Sequence, residues 1–182
     1  EYREMAERLR QQIHIEHWFI FEDEPEDDYE RLLAAASSNE PVAAGSVSGD
    51  DPVLILYTGG TTGLSKRALH TPHSLYMGMI NQPVAERIVP TDVYMLTGQM
   101  FHIPVALAMN YMAHGCPVVL INFEAKLALE VIQRERVSAF LGITTMINWM
   151  MAVDGFSDYD LSSLRNFQYG GGPMPRSVVE AA

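Results

Sequence analysis

Residues 53–66, "VLILYTGGTTGLSK", join a short apolar run to a loop of three glycines, three threonines, a serine and a closing lysine. Val53–Tyr57 are strand formers, so the sequence predicts a buried strand that ends where the glycines begin. In open α/β sheets, ligands bind outside the carboxyl ends of the strands. Glycines let backbone N–H groups turn toward a polyanion, hydroxyls add donors, and Lys66 supplies a compact positive charge for phosphate oxygens. A bare pair of glycines would mean no more than a turn, but this combination directly after a strand points to phosphate. The spacing G-x-x-x-x-G-K-[ST] of the P-loop is not met, because Leu64 lies five residues after Gly59, Ser65 five after Gly60, and Arg67 follows Lys66. Kinase-like and GTPase-like readings lose their footing on that point.

Outward from the loop, "VLILY", "VYMLT", "PVVLI" and "SAFLG" are short apolar runs separated by helix-like stretches. Those stretches are "TPHSLYMGMI", "IPVALAMNYMAH", "EAKLALEVIQRER" and "TTMINWMMAV". The alternation predicts an α/β fold with a mostly parallel sheet covered by helices. Thr71-Pro72 marks a helix start, with a hydroxyl at the N-cap and proline at the first helical position. Upstream, an amphipathic helix is expected at about Tyr2–Gln12, a strand in "IEHWFIF", and a second helix ending at Ala36. The polar stretch "SSNEPVAAGSVSGDD" reads as a connector, dividing a peripheral segment, 1–49, from an α/β core, 50–182. At the far end "GGGPMPRSVVEAA" opens a helix after a glycine turn. With no initiator methionine and no C-cap at the last helix, the chain reads as a piece of a larger protein.

The 182 residues, 48% hydrophobic and 19% charged, suffice for one well-buried core. No apolar run is long enough to span a bilayer. A formal charge of −11 argues against a nucleic-acid surface, which needs clustered Lys and Arg. Seven carboxylates fall in Glu22–Glu30, better read as a solvated run leading into a helix than as a divalent-ion site, so no metal ligands are assigned. The single cysteine, Cys116, is expected to pack as a small hydrophobe in a reducing cytoplasm. Only two lysines occur, Lys66 and Lys126, and one of them closes the glycine-threonine loop.

"ILYTGGTTGLSK" resembles the phosphate-binding signature of the AMP-forming adenylating enzymes, Tyr-Thr-Ser-Gly-Thr-Thr-Gly-x-Pro-Lys-Gly. That superfamily includes the acyl- and aryl-CoA synthetases, peptide-synthetase adenylation domains and firefly luciferase. Gly59 stands where the signature has serine, Ser65 where it has proline and Arg67 where it has glycine. "MFHIPVALAMNYMAHGCPVVLINFEAKLALEVIQRERVSAFLGITTMINWMMA" and "DLSSLRNFQYGGGPMP" are similar to later family segments in the same order, so the resemblance runs nearly continuously over 50–182. It implies part of the large N-terminal domain of an acyl-CoA synthetase-like fold.

The resemblance assigns Thr58, Gly59, Gly60, Thr61, Thr62, Gly63 and Lys66 to the β- and γ-phosphates of ATP and to departing pyrophosphate. His102 would sit by the carboxylate and acyl group as the catalytic candidate, although a histidine in an apolar stretch is more often a hydrogen-bonded core residue. Gly170, Gly171, Gly172 and Pro173 would lie against the adenine and the acyl group, or else form an ordinary tight turn. The Met-rich stretches read first as core and second as pliable lining for an apolar group. The implied activity is a cytoplasmic acid–thiol ligase of fatty acid metabolism that uses ATP, Mg2+, coenzyme A and a small carboxylic acid. Self-association of copies is a further expectation. The rival readings are a peptide-synthetase adenylation domain, a luciferase-like enzyme, or a non-catalytic module that binds nucleotide or packs on a partner. The chain stops before the family's Tyr-Gly-x-Thr-Glu segment, ribose-binding aspartate and C-terminal-domain lysine.

Overall fold

A computed structural model describes residues 3–16, 28–40, 42, 45–58 and 65–181, which fall into two compact units, 1–46 and 47–182. In the first unit, α1 (Arg3–Gln12) and α2 (Asp28–Ala35) form where the amphipathic patterns place them. The predicted strand "IEHWFIF" and the acidic run Glu22–Glu30 fall largely outside the described residues. Within the connector, Ser48 and Asp51 close a turn, the Ser48 N–H donating to Asp51 Oδ2 at 2.7 Å and the Asp51 N–H to the Ser48 carbonyl at 3.2 Å.

The second unit begins with a correction. "VLILY" is not a strand of the parallel sheet: β1 (Leu54–Thr58) pairs antiparallel with β2 (Lys66–His70) in its own two-stranded sheet, with Leu54 opposite His70 and Thr58 opposite Lys66. Nor is the strand buried on both faces, since Ile55 is 49% and Tyr57 59% exposed. A five-residue apolar run fits a ribbon as well as a core strand, and "KRALH" carries no β-branched residue to announce the partner.

From Thr71 onward the sequence pattern and the structure coincide. The Thr71 hydroxyl accepts from the Ser74 N–H at 3.2 Å while the Ser74 hydroxyl accepts from the Thr71 N–H at 3.0 Å. This capping box, with Pro72 at the first helical position, starts α3 (Pro72–Glu86). Then come β3 (Tyr94–Leu96), α4 (Ile103–Ala113), β4 (Val118–Leu120), α5 (Ala125–Glu135), β5 (Ala139–Gly142), α6 (Thr144–Met151), a short 3-10 turn, β6 (Asn166–Tyr169) and α7 (Arg176–Ala181). The four strands β3 to β6 are all parallel, in the order β4-β3-β5-β6.

Side chains alternate across the pleat, which divides the core in two. On one face Met95 and Phe140 pack with Leu129 and Ile132 of α5 and Ile147 and Met150 of α6. On the other, Tyr94, Leu96 and Ala139 pack with Ala108 and Tyr111 of α4 and with Cys116, and the Tyr94 and Tyr111 rings stack 4.5 Å apart. Cys116 is buried as the sequence predicts, and desolvation raises its thiol pKa. Helices thus cover both faces of the sheet.

At the amino ends of the strands, Asp92 is 2% exposed and joins β3, β5 and β6. Its carboxylate accepts from the Ser138 hydroxyl at 2.8 Å, the Val89 N–H at 2.9 Å and the Arg165 guanidinium, whose Nε lies at 2.7 Å. Arg165 continues to the Arg87 carbonyl at 2.8 Å, just past the end of α3. Burial pushes the Asp92 pKa up, but Arg165 and the two other donors outweigh it and hold the carboxyl below its ordinary value. Above this layer Glu86 accepts from the Tyr111 hydroxyl at 2.8 Å and from the Gln168 amide, fixing α3 to α4 and to β6. The Asp92 layer sits at the amino ends of the strands, away from their carboxyl ends.

Candidate functional site

The chain leaves β3 toward β4 on one side of the sheet, then returns past β3 to β5 on the other, so the strand order reverses between β3 and β5. Their following helices, α4 and α6, lie on opposite faces. Connections diverging in this way open a crevice at the carboxyl ends of the strands, the usual ligand position in such sheets. The Thr97 hydroxyl bridges it, donating to the Leu141 carbonyl at 2.8 Å beyond the last paired residues, Met95 and Phe140.

The loop from β3 to α4 carries His102. Gly98 lets this loop fold tightly onto the start of α4, for a Cβ there would lie 2.4 Å from the Pro104 Cγ. His102 is the N-cap residue of α4, with extended backbone (φ −136°) and no side-chain capping bond, and its side chain is exposed. Phe101 beside it is 80% exposed. The His102 side chain is exposed rather than packed in the core of this chain, and the residue's backbone N–H donates to the Gln99 carbonyl at 3.2 Å while its backbone carbonyl accepts from the Val105 N–H at 3.1 Å.

Across the crevice, Gly170, Gly171, Gly172 and Pro173 form the turn from β6 to α7. Gly171 has φ +78°, the left-handed region that favours glycine. Among the described residues, no atom beyond the chain neighbours lies within 4 Å of where a Cβ would stand at Gly170, Gly171 or Gly172. The Thr144 hydroxyl, at the first position of α6, donates to the Pro173 carbonyl at 2.9 Å. Beside the turn lies an apolar cavity of about 380 Å3, lined by Phe140, Ile147, Met150, Phe167, Tyr169 and Met174. Two strand spacings, about 10 Å, separate β3 from β6, so His102 and the glycine turn flank one opening.

The phosphate-loop residues divide differently. Gly59, Gly60, Thr61, Thr62 and Gly63 lie outside the described residues. Thr58 ends β1 and Lys66 begins β2 directly opposite it, so the hairpin register returns the lysine to the root of the loop. Arg67, where the family signature has glycine, places its guanidinium 5.7 Å from the centre of the Tyr57 ring, within cation–π range. The hairpin packs chiefly on itself and belongs to a sheet separate from the four strands that bear His102 and the glycine turn. Among the described residues no three His, Cys, Asp or Glu side chains come together to hold a metal ion.

Sequence reasoning missed Thr97 and Thr144. Each is a hydroxyl residue placed within two positions of a strand end, and their significance lies in carbonyl partners that are distant in the chain.

Comparison with known proteins places these features in a family. The model of the AMP-binding enzymes matches residues 2–182. The long-chain-fatty-acid–CoA ligase FadD13 of Mycobacterium tuberculosis is 30% identical over 153 residues, covering 83% of this chain and 30% of that protein. Feruloyl-CoA synthase of an Amycolatopsis species is 30% identical over 134 residues, covering 71% of this chain and 27% of its own length. The chain therefore spans less than a third of these curated relatives. Among solved structures, the inhibitor-bound N-terminal domain of FACL13 from Mycobacterium tuberculosis superposes with a TM-score of 0.79 at 25% identity, over 98% of this chain and 45% of that one.

Proposed function

The chain belongs to the AMP-binding enzymes, and from that membership we propose that it forms the nucleotide-binding part of an ATP-dependent acid–thiol ligase. The substrate carboxylate attacks the α-phosphorus of ATP, the bond to the β-phosphate oxygen breaks, and an acyl-adenylate and pyrophosphate result. The thiol sulfur of coenzyme A then attacks the acyl carbon, releasing AMP and forming the thioester as the thiol proton is lost. The observation that carries this reading is the crevice at the strand reversal, flanked by an exposed histidine and a bare glycine turn in a chain whose relatives include CoA ligases.

In the first step a negative nucleophile approaches a negative triphosphate, so fixed donors must take up charge as it moves onto pyrophosphate. Thr58, Gly59, Gly60, Thr61, Thr62, Gly63 and Lys66 are the groups proposed for that task, supported by a register that pairs Thr58 with Lys66. Mg2+ would neutralise part of the triphosphate charge. Gly170, Gly171, Gly172 and Pro173 would offer backbone to the adenine and acyl groups. His102 would face the carboxylate, with its exposed position at the crevice rim in support. The apolar cavity beside the turn favours an acid with a hydrophobic or aromatic body. No helix among the described residues is long and apolar enough to cross a membrane, which accords with the proposed cytoplasmic placement.

The test is exchange of labelled pyrophosphate into ATP by the enzyme that carries this chain, run with a panel of aliphatic and aromatic acids. Acid-dependent exchange followed by thioester formation with coenzyme A is expected. Exchange without thioester would turn the reading toward another adenylate-forming enzyme, and ATP binding without exchange toward a non-catalytic module.

A further inference from the structure

We infer that Thr144 is a positioning residue for the nucleotide, setting the glycine turn against the crevice through its hydrogen bond to the Pro173 carbonyl. The inference rests on the adenylating reading of the site. Three observations lead to it. Among the described residues, no atom beyond the chain neighbours lies within 4 Å of the Cβ positions of these glycines, so none of the described side chains packs on the backbone at those points. The turn also contains a left-handed residue, Gly171, which glycine adopts without holding it. Against that freedom, Thr144 Oγ1 donates to the Pro173 carbonyl at 2.9 Å.

The source of this bond is well placed to act as a reference point. Thr144 begins α6 immediately after Ile143, which as N-cap residue gives the helix no side-chain capping bond. A threonine at a helix start commonly turns its hydroxyl to local backbone; this one reaches 29 residues along the chain. Behind it, Gly142 is packed so that a Cβ would meet Phe167 at 3.1 Å, and Ile147 and Met150 are buried in the core. The hydroxyl therefore projects from a fixed strand–helix junction and transmits that fixity to the glycines of the turn, which Met174, partly buried against the core, anchors from the far side of Pro173. An approaching flat ring gains affinity from backbone already in place, because less freedom is lost on binding.

The experiment uses Thr144→Val, which removes the donor at nearly constant shape, Thr144→Ser, which restores it, and Thr145→Val as a control on the adjacent exposed threonine. In the enzyme carrying this chain, amide exchange is followed by mass spectrometry over 168–176 with the buried strand 139–142 as internal reference. Affinity for ATP is measured by calorimetry in the absence of acid. One lost hydrogen bond should speed exchange in the turn and weaken ATP binding by about five- to tenfold, with the reference strand unchanged. Serine should restore both, and Thr145→Val should alter neither. Unchanged exchange in the turn of Thr144→Val overturns the inference. A loosened turn with unaltered ATP affinity also overturns it, reducing the bond to local structure. Failure of the unmutated enzyme to bind ATP would overturn the adenylating reading, and the inference with it, an outcome distinguished by the calorimetric arm alone.

Discussion

Asp92 and Lys66 are both charged residues near strand ends, yet their surroundings assign them opposite work. Asp92 is buried under the sheet with three kinds of donor, and its carboxyl is held below the ordinary range. The unfolded chain therefore binds a proton at Asp92 before the folded chain does. Its contribution to stability is complete above the ordinary carboxylate pKa and is lost as pH falls through the lowered value. Asp92→Asn leaves Arg165 without its charge partner; because Arg165 is itself partly exposed, the expected loss is about 2–3 kcal/mol, less than for a fully buried pair. Urea unfolding at a series of pH values checks both claims, since the variant should be less stable at neutral pH and should lack this part of the acid slope. Lys66 is exposed at the first position of β2, opposite Thr58 at the start of the loop. Removing one charge-assisted phosphate contact costs on the order of a hundredfold in rate, so Lys66→Ala should lower acid-dependent pyrophosphate exchange by about that factor. Exchange at the unmutated rate would remove Lys66 from the phosphate clamp. The role proposed for Lys66 comes from its neighbours in sequence, whereas the bonds of Asp92 could not be read there, because Ser138 and Arg165 become its neighbours only when β5 and β6 take their places beside β3.

At the scale of elements, the same division recurs. Helix α3 was legible because its starting signals are local: Thr71, Pro72 and Ser74 carry the whole capping box. Thr71→Ala should cost about 1 kcal/mol, measured by chemical denaturation, with Thr71→Ser close to neutral. The β1–β2 ribbon was misplaced for the complementary reason. Its apolar residues announce a strand but not the partner, and antiparallel pairing to "KRALH" is decided by the loop's closure rather than by periodicity. The sequence singles out His102 and Gly170–Pro173, which follow β3 and β6, but not the packing that shapes the loop between β3 and α4. Gly98 looks like any loop glycine until Pro104 is found packed against it. Gly98→Ala should push α4 away from the end of β3, costing about 1–3 kcal/mol as an overpacked contact. Amide exchange should rise across 97–105 while the strand 139–142 stays protected. A variant of unaltered stability and exchange would show that the loop has room to yield.

For the second unit as a whole, the question is what covers its apolar exterior. Helix α3 turns Pro83, Gln82 and Glu86 inward, toward α4 and the polar framework. Flanking these, Tyr76, Ile80 and Val84 recur at four-residue spacing, 62%, 43% and 77% exposed, with Met77 beside them. The ribbon adds Ile55 and Leu69, which are register partners on one face and are 49% and 57% exposed. Single exposed apolar side chains are ordinary, but a stripe along about two turns of helix is the kind of surface that seeks a partner. A two-stranded ribbon with a bare apolar face is likewise marginal without cover. The net charge of −11 opposes association over long range, yet salt screens that repulsion within roughly 8 Å at physiological ionic strength, leaving short-range burial to decide. The purified 182-residue chain is therefore expected to self-associate, more strongly at higher salt, and Ile80→Glu should weaken that association by breaking the stripe at its centre. Sedimentation velocity over a concentration series, at low and moderate salt, reads both effects. A single monomeric species at the highest concentration in both buffers would mean that the stripe is satisfied within one chain, while leaving the crevice and its chemistry as described.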